Sequence, residues 1–309
     1  MKTLSRALFT VWLLVFAMGF AHAEDQFFDS KGVQIRYIVE GKGEPVVLIH
    51  GFTSSIAAGW RNIIKPRSAV YQVIALDCRG HGKSGKPLDP KKYGKEMSED
   101  VIRLMDHIHI KKAHIVGYSM GAFLAYNLLF AHPDRILTLT LGAGGGIVPP
   151  GTGDIEKALG DSLDKDKSME PLIRALWPPD MPPATADQIK FINQLMLGKK
   201  TDDEIKALAA VMHSGPTKVP DFSREELDAK LKADRIPILG VAGANDPIRK
   251  SLVDLQARMK ELQGDASPMT LVIVEKANHV DAVSKPEFLK GLQDFLKAHP
   301  AKEKVSSTR

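Results

Sequence analysis

A Gly-x-Ser-x-Gly pentapeptide constrains the fold of this chain more than any other stretch. Residues 113–116 can form a buried strand before it, and residues 122–130 have the composition of a helix after it. Ser119 is therefore predicted at the apex of a strand-turn-helix connection. A turn this sharp strains the apex residue and excludes bulk two positions away, where Gly117 and Gly121 stand. The strain would lift the serine hydroxyl above the strand end, near the backbone N–H groups that open the helix.

The rest of the chain alternates predicted strands with predicted helices. Residues 27–40 alternate apolar and polar side chains, as edge strands do. Runs typical of strands buried on both faces follow, at residues 46–49, 73–76, 113–116, 136–141, 238–241 and 271–274. Helical patterns lie between them, at residues 99–108, 122–131, 251–262 and 286–298. Ser98 is a candidate cap of the first helix, and Ser284 with Glu287 has the spacing of a capping box for the last. The alternation predicts an α/β fold, a mostly parallel sheet covered on both faces, with ligands beyond the carboxyl ends of the strands.

Residues 147–232 interrupt this alternation, because no buried strand is recognisable among them. They overlap a Gly/Pro-rich stretch at residues 142–153 and predict several short helices, at residues 155–163, 169–176, 186–197, 203–212 and 224–232. We interpret the segment as a helical cap inserted into the sheet domain and seated over the strand ends. Two long covering helices with loops are the alternative, but structureless crossovers of this length are rare. The predicted core comprises residues 24–146 and 233–299, and residues 300–309 are expected to form a disordered tail.

Residues 1–23 have the pattern of a secretory signal peptide. Lys2 and Arg6 give a basic start, residues 8–20 are almost wholly apolar, and a small-x-small cleavage site ends at Ala23. A membrane anchor is the alternative interpretation, but it needs a longer apolar run. No cysteine follows the apolar run at a position for lipid attachment. We therefore expect export, either to a periplasm or to the cell exterior, without a stable membrane anchor.

Charge and cysteine content exclude several classes of function. The chain has 309 residues and a formal net charge of +5, which falls to +3 when Lys2 and Arg6 leave with the signal peptide. The lysines are scattered and not interleaved with aromatic residues, so we expect no nucleic-acid partner. Cys78 is the only cysteine, which excludes an intrachain disulfide and a cysteine-based metal cluster. The glycine-rich residues 142–146 lack the Gly-x-Gly-x-x-Gly spacing of a nucleotide-binding loop.

Ser119 needs a base within hydrogen-bond reach and a third group that orients this base, since a serine hydroxyl is a weak nucleophile at neutral pH. His279 follows the last predicted strand and precedes the last helix, which places it at the carboxyl edge of the sheet. Asp246 comes just after the strand at residues 238–241 and is predicted at the same edge, in an Asn-Asp-Pro sequence that also favours a turn. The other candidates for the base and the acid lie at less suitable places in the predicted fold: His132, His213, His299, Asp234, Asp254 and Asp281. The predicted catalytic residues are Ser119, His279 and Asp246.

Two backbone amides are predicted to bind the oxyanion that forms when the serine attacks a carbonyl. One is the N–H of Met120, directly after the nucleophile. The other is the N–H of Phe52, in the loop after the first buried strand, where Gly51 gives the backbone freedom. The His50 side chain is expected to brace this loop. Loss of one such donor typically lowers the rate by roughly 10²–10³-fold.

These segments together resemble the α/β-hydrolase fold family, in its subgroup with a helical cap. The resemblance covers about residues 27–298 and rests on motifs in family order: His50-Gly51-Phe52, Asp-Cys-Arg-Gly-His-Gly-Lys-Ser at residues 77–84, the pentapeptide around Ser119, Asn245-Asp246 and Asn278-His279. It implies a mostly parallel sheet of the eight-stranded type, with Arg79 and His81 bracing the core. Dehalogenases and epoxide hydrolases of this fold use an aspartate at the position of Ser119, so the resemblance argues against both activities.

The resulting hypothesis is an exported serine hydrolase, a carboxylesterase that acts on a small or medium-sized ester through an acyl-enzyme. This chemistry needs no cofactor and no metal. Apolar residues of the predicted cap are candidates to bind the acyl group, and each is also a candidate for the core of the cap itself: Trp177, Met181, Phe191, Met196 and Met212. The identity of the substrate and the oligomeric state stay open.

Other activities of the same fold also stay open. They are hydrolysis of a carbon–carbon bond in a diketone-type substrate, a lactonase, an acyltransferase and a cofactor-free peroxidase side activity. A proline-releasing aminopeptidase is disfavoured, because no acidic amine-binding cluster is recognisable in the predicted cap. The hypothesis of a different class is a non-catalytic protein that binds a small apolar ligand. Such proteins usually lose the nucleophile, the base or the acid, whereas this chain retains candidates for all three.

Overall fold

The frame of the molecule is a single eight-stranded β-sheet. The computed structural model describes residues 24–148, 150–218, 222–233 and 235–301. The strands are β1 Gln26–Asp29, β2 Gln34–Glu40, β3 Pro45–Ile49, β4 Gln72–Leu76, β5 Ala113–Tyr118, β6 Ile136–Gly142, β7 Ile238–Gly243 and β8 Met269–Val274. All seven predicted strand regions are therefore present. The predicted signal peptide and residues 302–309 of the predicted tail lie outside the described residues.

The strand order is β1-β2-β4-β3-β5-β6-β7-β8, and all strands from β4 to β8 in this order run parallel. The two strands at one edge differ, since β1 pairs with β2 and β2 with β4 in antiparallel fashion. The predicted mostly parallel sheet is confirmed. Because parallel strands end at a common edge, the loops after β3, β5, β7 and β8 all meet there.

Helices cover both faces of this sheet. Six of them belong to the sheet domain: α1 Ile56–Gly59, α2 Arg61–Ser68, α3 Lys95–His107, α4 Met120–Ala131, α10 Lys250–Gln263 and α11 Pro286–Ala298. Val46 and Leu48 of β3 face the core shared with α2 and α11, whereas Val47 and Ile49 face the core shared with α3, α4 and α10. Successive strand residues thus feed opposite cores, which explains why the strands are continuously apolar.

Two helices were not predicted, and two predicted caps are wrong. Helix α1 is only four residues long, and Pro66 inside α2 disguises the helical pattern of the other. Ser98 does not cap α3, which begins at Lys95; its hydroxyl is buried and donates to the Leu124 carbonyl instead. Ser284 does not cap α11 either, since the N-cap residue is Lys285 and its side chain makes no capping hydrogen bond.

Five further helices lie between β6 and β7, and we call residues 152–233 the helical segment. They are α5 Thr152–Asp166, α6 Glu170–Ala175, α7 Ala186–Leu197, α8 Asp202–His213 and α9 Arg224–Ala233. Each overlaps a helix predicted from the sequence. α7 and α8 begin with complete capping boxes at Thr185 and Thr201. Within the described ranges, no helix is long and apolar enough to cross a membrane.

Candidate active site

The turn between β5 and α4 holds Ser119 in a strained backbone conformation. Its φ is 53° and its ψ is −121°, a combination that residues other than glycine rarely adopt. A Cβ on Gly117 would lie 2.2 Å from the Gly121 carbonyl oxygen, and a Cβ on Gly121 would lie 2.0 Å from the Ile49 carbonyl oxygen. Both glycines are thus required by close backbone approaches, as the sequence predicts.

Ser119, His279 and Asp246 form one hydrogen-bonded chain. His279 Nε2 lies 2.9 Å from Ser119 Oγ, and His279 Nδ1 lies 3.0 Å from Asp246 Oδ2. With the imidazole proton on Nδ1, His279 donates to the carboxylate and accepts from the serine hydroxyl. The Asp246 and His279 side chains are both buried. Residues separated by 160 positions in sequence are therefore brought into contact.

The loops after β7 and β8 hold the acid and the base together. Asp246 Oδ1 accepts a hydrogen bond of 3.0 Å from the Ile248 N–H, which leaves Oδ2 directed at the imidazole. The Asn245 N–H donates to the Ala277 carbonyl at 2.9 Å, joining the acid loop to the residues just before His279. Gly243 permits this approach, because a Cβ there would lie 2.3 Å from the same carbonyl oxygen.

Tyr118 is a supporting residue that the sequence analysis missed. It directly precedes Ser119, and its hydroxyl donates a hydrogen bond of 2.8 Å to the His279 carbonyl. Burial raises the pKa of Tyr118 far above its ordinary value, so the hydroxyl stays a donor at every physiological pH. A tyrosine at the end of a buried strand was the available signal, since a buried tyrosine hydroxyl needs a hydrogen-bond partner.

The amides of Phe52 and Met120 are free to bind a ligand. Neither N–H donates a hydrogen bond to any described residue, and both residues line the cavity that contains Ser119 and His279. The loop of Phe52 lies directly against the serine, because a Cβ on Gly51 would be 3.1 Å from the Ser119 Cβ. Unpaired amides beside a nucleophile are the donors that an oxyanion requires.

His50 ties this loop to the strand beside it. The Cys78 N–H donates to His50 Nε2 at 3.0 Å, so the ring proton is on Nδ1, which donates to the Gly51 carbonyl at 2.8 Å. Burial lowers the pKa of His50, which keeps this doubly bonded neutral form. Burial also raises the pKa of the Cys78 thiol, so it is held as an inert thiol. Arg79 forms a buried, bidentate ion pair with Asp100.

A small cavity of about 100 Å³ opens beside Ser119. Its wall comes from the sheet-edge loops and from the helical segment, and it comprises Phe52, Ser119, Met120, Phe123, Thr152, Ile155, Glu156, Leu159, Leu172, Ala175, Leu176, Met212, Pro216, Thr217, Ile248 and His279. Met212 is thus where the sequence predicts it. Helices α5, α6 and α8 contribute apolar side chains to it, namely Ile155, Leu159, Leu172, Ala175 and Met212.

Four of the five predicted pocket residues are not part of this wall, and their placement is corrected. Phe191 is 69% exposed and Met181 is 47% exposed. Trp177 packs against the main core and donates from its indole nitrogen to the Pro182 carbonyl at 2.8 Å. Helix α7 turns Ile189 inward, and Phe191 lies two residues, or about 200°, further round the helix. Met196, also a candidate, is half-buried against the core and not on the cavity wall.

Glu156 is the wall residue that the sequence analysis should have found. It occupies a position of the buried stripe of α5, with Leu159 three and Leu163 seven residues further on. A glutamate at a position where the 3.6-residue period requires an apolar side chain is the signal.

Among the described residues, no group of three or more His, Cys, Asp or Glu side chains is placed to hold a metal ion.

Comparison with known families agrees with this architecture. The model of the alpha/beta hydrolase fold family matches residues 44–286, which is well over half of the chain. An alpha/beta hydrolase enzyme from a Medee basin deep-sea metagenome library has a similar structure, with a TM-score of 0.70 and 18% sequence identity over 88% of this chain and 97% of that one. The predicted fold class is confirmed.

Two curated relatives illustrate the range of reactions near this sequence. The dihydrolipoyllysine-residue acetyltransferase component of the acetoin cleaving system of Cupriavidus necator is 31% identical over 62% of this chain and 50% of its own length. A 2-hydroxy-6-oxononadienedioate/2-hydroxy-6-oxononatrienedioate hydrolase of Burkholderia vietnamiensis is 28% identical over 71% of this chain and 76% of its own length. The chain spans about half the length of the first of these relatives.

Proposed function

The chain belongs to the alpha/beta hydrolase family, and we propose that it is a serine hydrolase that cleaves carboxylic esters through an acyl-enzyme. The observation that carries the proposal is the hydrogen-bonded chain from Ser119 through His279 to Asp246. It opens on an apolar cavity that also presents the amides of Phe52 and Met120. A nucleophile, a base, an orienting acid and two oxyanion donors are the parts that acyl transfer needs.

The geometry supports a two-step reaction. Ser119 Oγ attacks the ester carbonyl while its proton passes to His279 Nε2, and Asp246 stabilises the imidazolium. The Phe52 and Met120 amides bind the oxyanion. The tetrahedral intermediate expels the alcohol, which takes the proton from His279. A water molecule, deprotonated by His279, then attacks the acyl-enzyme. The second tetrahedral intermediate releases the acid, and Ser119 Oγ takes the proton back from His279.

We propose that the helical segment is the cap of this active site and that residues 1–23 are a cleaved signal peptide. The cap role is supported by Leu159, Leu172 and Met212, which lie on three helices of the segment and line the cavity. Export is supported by the basic, apolar and small-x-small pattern of residues 1–23. Terminal sequencing of the mature protein should begin at Glu24. An uncleaved chain retained in the cytoplasm would contradict export.

A second candidate is hydrolysis of a carbon–carbon bond, suggested by the relative named as an oxo-dienedioate hydrolase. The cavity favours the ester, because no arginine or lysine is among the described residues of its wall and a carboxylate, Glu156, is. Within the cavity beside Ser119, a substrate with two carboxylates would meet no lysine or arginine, and the Glu156 carboxylate would repel it.

The test is product analysis with wild type and Ser119→Ala. Wild type should hydrolyse short-chain ethyl and p-nitrophenyl esters, and Ser119→Ala should lose the activity by about 10⁴-fold or more. Alcohol acceptors separate a transferase, which forms a new ester, from a hydrolase, which forms the acid. Turnover of a dienedioate without turnover of any ester would favour the second candidate.

A further inference from the structure

Glu156 is the one carboxylic acid on the wall of the cavity beside Ser119 in the described part of the chain. It is 7% exposed, and apolar side chains such as Leu159, Leu172 and Met212 surround the same space. Burial of a carboxylate among apolar groups is unfavourable unless the charge is paired or well hydrogen-bonded. The Glu156 carboxylate therefore needs a cation or hydrogen-bond donors as partners.

Hydrogen bonds from Thr217 satisfy Glu156 only in part. The Thr217 N–H donates to Oε1 at 2.9 Å, and the Thr217 side chain also contributes. No ion pair with Glu156 is present among the described residues, although Lys157 and His213 nearby pair with Asp161 and Asp164. Desolvation by burial raises the pKa of Glu156, as expected for a carboxyl that lacks a cation.

Glu156 lies where two cavities adjoin. Glu156, Met212 and Thr217 line the cavity beside Ser119, and they also line an outer cavity of about 460 Å³ on the other side. Glu156 is thus accessible to a group in either cavity. A carboxylate at this position is better explained by binding of a polar substrate group than by packing inside a helical bundle.

We propose that Glu156 is a specificity-determining residue, whose carboxylate binds a hydrogen-bond donor, an ammonium or a hydroxyl, on the substrate of the ester hydrolysis proposed above. The cavity beside Ser119 is small, about 100 Å³, so the proposal places this donor close to the scissile carbonyl. The substrate class is a short-chain ester with a polar end, and a purely apolar ester of equal length is the poorer ligand. The proposal rests on the proposed function for the chemistry, but its test does not.

Three esters of equal size provide the probes: ethyl butanoate, ethyl 3-hydroxypropanoate and ethyl 3-aminopropanoate differ only in a terminal methyl, hydroxyl or ammonium group. Their binding is measured by calorimetry to Ser119→Ala protein, in which no turnover occurs. The same measurement is made on Ser119→Ala/Glu156→Gln and, as a matched control, on Ser119→Ala/Asp154→Asn. Asp154 is an exposed acid on the same helix. Glutamine keeps an acceptor for the Thr217 N–H, so a purely structural role is preserved.

The Ser119→Ala protein should bind the hydroxyl or the ammonium ester at least about tenfold more tightly than ethyl butanoate, because hydrogen bonds to a charged group are the strong ones. The preference should disappear with Glu156→Gln and persist with Asp154→Asn. The arm with the higher affinity identifies the donor. Equal affinities for the three esters, no detectable binding of any, or a preference that survives Glu156→Gln would overturn the proposal. Separately, absence of turnover of all three esters by wild type would contradict the proposed function, while calorimetry still decides the role of Glu156.

Discussion

At the scale of single residues, the site depends on which atom of each side chain faces which partner. Asp246 illustrates this, because Oδ1 is occupied by the Ile248 N–H and only Oδ2 is left for His279. The carboxylate thus fixes both the orientation of the imidazole and the nitrogen that carries its proton. Substitution with an isosteric amide separates these two roles.

We predict that Asp246→Asn folds normally and loses activity. The amide oxygen can still accept from the Ile248 N–H, but the amide NH₂ would then face His279 Nδ1. The imidazole proton would move to Nε2, and a protonated Nε2 cannot accept from the Ser119 hydroxyl. The expected decrease in kcat is about 10⁴-fold. Steady-state ester kinetics provide the measurement, with Asp265→Asn at an exposed residue as the control. Activity within about tenfold of wild type would remove Asp246 from the mechanism.

His81 gives a second prediction, which concerns pH. Burial, together with His50, Lys200 and Lys86, lowers the pKa of His81 to about 3, and its Nε2 has no partner among the described residues. In the unfolded chain the His81 imidazole therefore binds a proton near pH 6.5, whereas in the folded chain it binds one only near pH 3. Because the folded-state pKa is lowered, the contribution to stability is full above pH 6.5 and is lost as the pH falls towards 3.

His81→Phe should weaken this acid sensitivity, since phenylalanine keeps a ring against His50 and Phe52 but does not titrate. The free energy of unfolding from denaturant titrations should fall less steeply between pH 6.5 and 3 than in wild type, by up to about 1.4 kcal/mol per pH unit. His109→Asn, at an exposed histidine, is the control. Parallel curves for wild type and His81→Phe would contradict the prediction.

The sequence predicts the proximity of Ser119, His279 and Asp246, because position after a strand is enough to place a residue at the carboxyl edge of a parallel sheet. Side-chain direction within the helical segment is harder to predict. Phe191 and Met181 are apolar yet exposed, and Glu156 is charged yet buried. Hydrophobicity alone assigned the first two to the pocket and overlooked the third, whereas the helical period of α5 distinguishes Glu156.

At the scale of secondary-structure elements, the connection from β5 to α4 tolerates little change. Its two glycines lie against backbone oxygen atoms of α4 and β3, which cannot move without disturbing the sheet. The pentapeptide was accordingly the most informative stretch of the sequence. Helices α1 and α2 show the opposite case, since neither their short length nor Pro66 leaves a clear pattern.

We predict that Gly121→Ala destabilises the protein and removes serine reactivity. The new Cβ would be 2.0 Å from the Ile49 carbonyl oxygen, so the turn must shift. Overpacking of this kind costs about 1–3 kcal/mol of unfolding free energy. The matched control is Gly153→Ala in α5, where nothing lies within 4 Å and alanine should stabilise the helix by up to about 1 kcal/mol. Equal melting temperatures for the two variants would contradict this account.

At the scale of the whole molecule, the sheet carries the reactive groups and the helical segment shapes the space around them. The α/β alternation and the break at residues 147–232 could both be predicted, because each is a change of hydrophobic period along the sequence. The size of the cavity could not, since it depends on how α5, α6 and α8 pack over Ser119. Substrate specificity therefore depends on the tertiary packing of these helices, which no single sequence motif predicts.

The central claim is that Ser119 is an activated nucleophile, and labelling with a fluorophosphonate probe tests it most directly. Mass spectrometry of the labelled protein should find one phosphonate on the peptide that contains Ser119, none on Ser119→Ala, and a strongly reduced rate of labelling for His279→Ala. Labelling is independent of the natural substrate, so it does not require that the correct ester be known. A wild-type protein that stays unlabelled, or a Ser119→Ala variant that labels equally well, would contradict the account.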